Sequence, residues 1–109
     1  MVERRSSQRS LCADLVTVQI HEGRARRHET VANLEDISRS GACVQMDRKV
    51  RPGASVEIIC SACRLKGRVR YCRFSDIGYN VGIQFERPNS WNRQRFEPKH
   101  LLDVEALLG

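Results

Sequence analysis

The sequence predicts a small, mostly-β fold: six antiparallel strands arranged as a barrel or sandwich, followed by a short C-terminal helix. Three observations support this fold class. A chain of 109 residues has room for a single hydrophobic core. Several segments alternate apolar and polar side chains with the period of two that is typical of half-buried strands. Residues that favour turns separate these segments at the short intervals expected in small all-β domains.

The first half of the chain contains one clear strand and one ambiguous segment. Residues 16–20, Val-Thr-Val-Gln-Ile, alternate strictly and are followed by a turn at Glu22–Gly23. Residues 24–35 fit a helix as well as a strand, because Val31 and Leu34 have helical spacing. The segment Asp36–Gly41 interrupts any regular pattern and is predicted to form a turn.

The second half alternates more regularly. Strands are predicted at residues 42–46, 56–60, 64–71 and 79–86, with turns at Arg51–Gly53 and Asp76–Gly78. In the third of these strands, one face carries Leu65, Gly67, Val69 and Tyr71, and the other carries Arg64, Lys66, Arg68 and Arg70. The basic face is expected to be the solvent side of the strand.

The two ends of the chain differ from its centre. We predict a flexible N-terminal arm over residues 1–12, a barrel over 13–86, and a tail over 87–109. Pro98 is suited to the first turn of a short helix, and Gly109 follows its end. The helix would place Leu101, Val104 and Leu108 on one face. Trp91 and Phe96 are expected to pack the tail onto the barrel.

The composition excludes several classes of protein. With 40% hydrophobic and 29% charged residues, the chain is too apolar to be disordered. No apolar run reaches the ~18 residues that a membrane span needs, and the N-terminus lacks the apolar stretch of a signal peptide. We therefore expect a cytoplasmic protein without membrane insertion. Sixteen arginines and three lysines against thirteen acidic residues give a net charge of +6, which suits a phosphate-bearing partner but also an ordinary soluble surface.

Five cysteines are present, but their spacing does not predict a metal site. Cys60 and Cys63 form a single CxxC pair, and the three histidines supply no matching second pair for zinc. An odd number of cysteines in a cytoplasmic chain also argues against a disulfide framework. We predict no metal and no cofactor, and we expect most of the cysteines to be small core residues.

Two short motifs stand apart from the strand pattern. Arg5-Ser-Ser-Gln-Arg9 is an RxxxR in the arm, and Asp36-Ile-Ser-Arg-Ser-Gly41 is a DxSxxG between two strands. With the later strand Val81-Gly-Ile-Gln-Phe-Glu86, their order makes the chain resemble a PilZ domain over residues 3–86. That resemblance implies a six-stranded antiparallel barrel of the split-barrel type, whose ligand is the bacterial second messenger cyclic di-GMP.

The resemblance also implies a set of ligand-binding residues. Arg5 and Arg9 would bind guanine edges and phosphates, which an arginine fork contacts bidentately. Asp36 would accept the N–H donors of a guanine, and Ser38 would place a hydroxyl beside the ligand. Gly41 would allow a positive φ or a close approach of the ligand. Arg4 and Arg39 are accessory candidates. The alternative for Asp36 and Ser38 is a turn that bonds its own backbone.

The function expected from this resemblance is that of a receptor and adaptor, which binds cyclic di-GMP and relays the signal to a separate protein. One alternative is a PilZ-like interaction module that binds no nucleotide. Another is a barrel that binds RNA or single-stranded DNA, but 6% aromatic residues, mostly at core positions, offer few stacking surfaces. We predict that the chain is not an enzyme, since no P-loop, HExxH or GxSxG motif is present.

Overall fold

The strand pattern of the sequence closes into an antiparallel barrel. The computed structural model describes residues 10–23, 26–60, 63–88, 90–92, 94–98 and 102–103. The strands are β1 (Ser10–Glu22), β2 (Arg26–Ile37), β3 (Gly41–Met46), β4 (Ser55–Ile59), β5 (Arg64–Ser75), β6 (Gly78–Phe85) and β7 (Leu102–Asp103). Their order in the sheet is β2-β3-β6-β5-β4-β1-β7, and pairing of β1 with β2 closes the first six into the predicted six-stranded barrel.

The barrel interior is filled by the apolar members of the alternating segments. Each of the six barrel strands contributes to the buried core, and the fully buried branched side chains are Val18, Ile20, Leu34, Ile37, Val44, Val50, Ile58, Leu65 and Val81. Burial of one such side chain stabilises a fold by about 1.5–3 kcal/mol. Trp91 is also buried in this core, and its indole N–H donates to the Phe96 carbonyl at 2.8 Å, which confirms that these two residues attach the tail to the barrel.

The ambiguous segment before Asp36 is a strand of twelve residues, β2. Its pairing with β3 shifts register between Leu34 and Asp36, so Glu35 is an extra residue on the β2 side. Such a bulge interrupts the alternation of side chains. This irregularity explains why the period-two pattern in the sequence is weak here.

A second bulge changes the face of Tyr71. The pairing of β5 with β6 shifts between Val69 and Tyr71, leaving Arg70 as the extra residue. Val69 therefore pairs with the inward Ile83, whereas Tyr71 pairs with Gly82. The prediction that Tyr71 shares the inner face with Val69 was wrong, because a strict alternation does not allow for the added residue.

The predicted C-terminal helix is not supported. Leu102–Asp103 form strand β7, which pairs antiparallel with Ser10–Leu11. Strand β4 covers only Thr17–His21 on that side of β1, so the beginning of β1 offers backbone groups for a further strand. Residues 99–101 and 104–109, which include the predicted helix face, lie outside the described residues. Among the described residues, no helix is long and apolar enough to cross a membrane.

Candidate functional site

The DxSxxG segment forms the hairpin between β2 and β3. The Ser38 N–H donates to the Gly41 carbonyl at 2.8 Å, which leaves Arg39 and Ser40 as the two loop residues. Asp36 remains within β2, and Gly41 begins β3. The turn is therefore tighter than the six-residue turn predicted from the sequence.

The side chain of Ser38 is part of this hairpin's internal bonding. Its hydroxyl oxygen accepts the N–H groups of Ser40 at 3.3 Å and of Gly41 at 3.2 Å. The residue is only 7% exposed. Ser38 thus fixes the loop conformation, as Ser residues do in turns, and this matches the alternative interpretation of a turn that bonds its own backbone.

Gly41 is required by packing within the sheet. Its φ is not positive, whereas positive φ values occur at Gly23, Gly53 and Gly78. A Cβ added at Gly41 would lie less than 3.0 Å from the Ile83 carbonyl oxygen of β6. The expectation of a positive φ was wrong. The close approach is made by a neighbouring strand, which lets the hairpin sit directly against β6.

Asp36 lies between two other strands at this end of the barrel. Its Cα partners are Leu11 on β1 and Cys43 on β3, and its side chain is half-buried. Burial, followed by the charges of Asp36, Asp14 and Glu35, raises the pKa of the Cys12 thiol from 9.0 to about 12. The cause is that each nearby carboxylate disfavours a thiolate. The region around Asp36 is therefore locally acidic and suited to hydrogen-bond donors.

Arg39 is exposed at the loop of the hairpin. Its carbonyl accepts the Ser90 N–H at 3.0 Å, and the Ser40 carbonyl accepts the Phe85 N–H at 2.8 Å. These bonds tie the hairpin loop to the end of β6 and to the tail. The loop is held from both sides while the Arg39 side chain faces solvent.

Ser10, at the start of β1, lies beside the same hairpin. It is buried and is the Cα partner of Ile37, the residue that follows Asp36. Of the arm assigned to residues 1–12, residues 10–12 belong to β1. Arg4, Arg5 and Arg9 lie outside the described residues.

Tyr71, which we predicted to face the core, lies on the outer surface of the barrel near Asp36. The Tyr71 ring lies over Gly82, where any Cβ would collide with it. Its hydroxyl contacts the Cys43 Sγ at 3.9 Å, and the Arg73 guanidinium lies 4.6 Å from its ring centroid. The signal in the sequence was a lone glycine at an outward position of an otherwise regular strand, which marks a close approach.

The five cysteines all lie in the described part of the chain. All five are free thiols, with Cys43 and Cys60 buried and the others half-buried. Among the described residues, no group of three or more potential ligands is arranged to hold a metal ion. Burial and the adjacent Cys63 raise the pKa of the Cys60 thiol to about 12. Cys60 therefore stays protonated at neutral pH, as a packing residue does.

The barrel and the DxSxxG hairpin agree with a family match. The PilZ domain profile matches residues 3–97, nearly the whole chain. The chain belongs to the PilZ family. PilZ domains are binding and adaptor modules, so this membership supports a signalling role connected with cyclic di-GMP.

Two solved structures share the fold at low sequence identity. The PilZ domain of YcgR from Escherichia coli, solved with c-di-GMP, superposes with a TM-score of 0.59 at 13% identity, covering 87% of this PilZ chain and 88% of that one. The Bacillus subtilis inhibitor of motility MotI/DgrA gives a TM-score of 0.61 at 15% identity over 85% of this chain. The chain spans about half of the MotI/DgrA chain, 47%. No curated protein sequence matches it.

Proposed function

We propose that this PilZ chain is a cytoplasmic receptor for cyclic di-GMP that passes the signal to a separate partner protein. The observation that carries the proposal is the register of β1. Ser10, which follows the RxxxR motif directly in the sequence, pairs with Ile37 of the DxSxxG segment. This register supports a site to which both motifs, far apart in the sequence, contribute.

Each residue of the proposed site has a distinct role. Arg5 and Arg9 would contact the phosphodiesters and the O6/N7 edges of the guanines. Asp36, half-buried in an acidic region, would accept guanine N–H donors. Ser38 and Gly41 would act indirectly: they hold the hairpin in the shape that presents Asp36 and the Arg39 side chain.

Calorimetric titration with cyclic di-GMP at physiological salt tests this proposal. We expect saturable binding to the wild type and none to Arg5→Ala/Arg9→Ala. The matched control is Arg48→Ala/Lys49→Ala, which removes the same charge from an exposed loop and should retain the wild-type affinity. Equal losses in both variants would indicate non-specific attraction to a basic protein. No binding to the wild type would favour the nucleotide-free interaction module.

A further inference from the structure

The tip of the β5–β6 hairpin exposes two large apolar side chains. Phe74 is 73% exposed and Ile77 is 81% exposed. Ile77 is the most exposed large hydrophobic residue in the described part of the chain. Strand β3 ends at Met46, opposite Tyr79, so the tip projects beyond the last residue pair of that strand. We call these two side chains the apolar tip.

The tip is held in place by contacts that do not cover its apolar side chains. The Gln45 side-chain amide donates to the Ile77 carbonyl at 3.3 Å, and the Ser75 hydroxyl donates to the Gly78 carbonyl at 3.2 Å. The Phe74 ring meets Tyr79 edge-on at 5.4 Å. A surface ordered before binding loses little conformational entropy when a partner binds. These contacts indicate an ordered hairpin that presents Phe74 and Ile77 to solvent, and not a flexible loop.

A row of cations lies on the outer face of β5, and its nearest member, Arg70, is four residues before Phe74. The row consists of Arg64, Lys66, Arg68 and Arg70, all exposed, and we call it the basic row. Arg64 pairs with Glu57 at 3.5 Å, and Arg68 donates to the Gly53 carbonyl at 3.1 Å. Within the described residues, Lys66 and Arg70 have no such partner. The basic row therefore carries a positive charge that the barrel itself compensates only in part.

We propose that the apolar tip and the basic row together form the docking surface for an acidic partner protein, with a pocket for Phe74 and Ile77. Aromatic and arginine side chains are the residues that most often dominate binding energy at protein interfaces. A second copy of the chain is disfavoured because it would bring two basic rows together. A nucleic acid would be attracted by the row but would leave the apolar tip unused.

The apolar tip is separate from the DxSxxG hairpin. Gly41 pairs with Gln84 and Met46 pairs with Tyr79, so five residues of strand, roughly 17 Å, separate the two ends of β3. The basic row, in contrast, extends to Arg68, which pairs with the same Gln84. A partner seated on the tip therefore leaves the hairpin open, and only the far end of the row lies beside it. The docking surface transmits a cyclic di-GMP signal only if the chain has the proposed function. Binding of the acidic partner to this surface does not depend on that function.

The test begins with site-specific photo-crosslinking in the bacterial cells in which the chain is native. p-Benzoyl-phenylalanine replaces Ile77 in one version and Leu15, 72% exposed on a different hairpin, in the control version. Proteins crosslinked from position 77 but not from position 15 are identified by mass spectrometry and purified. We expect an acidic protein. Crosslinks from position 77 only to nucleic acid or to a second copy, or no crosslink at all, would overturn the proposal.

Titration with the purified partner then decides the role of the surface. Phe74→Ser/Ile77→Ser should weaken binding at least 30-fold, and Lys66→Glu/Arg70→Glu should slow association. The control Leu15→Ser/Val31→Ser, which changes two other exposed apolar residues, should leave the affinity unchanged. Equal affinity for wild type and the Phe74/Ile77 variant would overturn the proposal. Repeating the titration with cyclic di-GMP separates the two claims, because tip-dependent docking stands even where the nucleotide has no effect.

Discussion

The two ends of the β3–β6 ladder use their hairpins in opposite ways. At the β2–β3 hairpin, a polar side chain is turned inward: Ser38 is buried and bonded to its own loop. At the β5–β6 hairpin, apolar side chains are turned outward: Phe74 and Ile77 face solvent while polar groups fix the backbone behind them. Each hairpin reverses the usual rule that polar groups are outside and apolar groups inside.

This difference indicates which kind of binding partner each end suits. A buried and satisfied polar group adds rigidity, because it fixes one loop conformation. The β2–β3 hairpin is thus a rigid support on which charged side chains can bind a small polar ligand. Exposed apolar side chains can be buried against a second protein, and that burial favours binding. The β5–β6 hairpin is therefore suited to a protein partner, and the barrel separates the apolar tip from the proposed ligand site.

The largest expected effect is that of Gly41→Ala. The new Cβ would collide with the Ile83 carbonyl, so the hairpin must move away from β6. We expect a loss of about 2–3 kcal/mol in the free energy of unfolding and a clear loss of cyclic di-GMP affinity. Thermal unfolding and calorimetry measure the two effects. The control Gly23→Ala, at a φ of 74° with open space around it, should lower stability without changing the affinity.

Ser38→Ala should have the next largest effect. It removes the acceptor for two backbone N–H groups of the loop, and we expect a cost of about 1–2 kcal/mol in denaturant unfolding. Ser40→Ala is the comparison variant, because it removes only the hydroxyl that lies 3.4 Å from the Ser38 hydroxyl and keeps the backbone N–H that donates to Ser38. A Ser38 variant as stable as the Ser40 variant would contradict the structural role assigned to this hydroxyl.

Alkaline pH should destabilise the protein through its thiols. The pKa values of Cys12 and Cys60 are raised to about 12 in the folded state, above 9.0 in the unfolded chain. The unfolded chain therefore loses protons first, and stability falls as pH rises from 9 towards 12. Because solvent screens these partly buried groups, we expect about 1 kcal/mol at pH 10. The free energy of unfolding of Cys12→Ala/Cys60→Ala, measured from pH 8 to 11, should fall less steeply than that of the wild type.

The smallest expected effect is that of Phe74→Ser/Ile77→Ser on stability. Both side chains are mostly exposed, so the free energy of unfolding should change by less than about 0.5 kcal/mol per site. Leu65→Ala, a fully buried neighbour on the same strand, should cost about 2–5 kcal/mol under the same conditions. A large loss in the tip variant would show that the tip stabilises the fold and is not a free display surface.

Much of the barrel was predictable from the sequence, because in β1, β3, β4 and β6 the side chains of the core cluster lie at every second position. The exceptions occur where an extra residue breaks the alternation. The bulge at Glu35 hid β2, and the bulge at Arg70 moved Tyr71 to the outer wall. Strand β7 was not predictable, since it depends on the open edge of β1, far away in the sequence.

The candidate site was predictable in its motifs but not in its geometry. Asp36, Ser38 and Gly41 were identified through the resemblance of the DxSxxG motif to that of PilZ domains, yet a motif does not show that Ser38 bonds its own loop or that Gly41 meets β6. Those facts depend on which strand lies next to the hairpin. The exposure of Phe74 was not predictable either. Alternation shows on which face of a strand a residue lies, but not that β3 ends at Met46 and leaves the tip uncovered.

The measurement that tests this account most directly is amide chemical-shift mapping of the ¹⁵N-labelled chain during titration with cyclic di-GMP. The account predicts saturable shifts at the β2–β3 hairpin, residues 36–41, and at the adjoining Ser10 and Leu11. The amides of Asp76–Gly78 at the opposite end should stay within the range of the unbound protein. Shifts concentrated at the β5–β6 tip, with residues 36–41 unchanged, would contradict the separation of the proposed ligand site from the apolar tip.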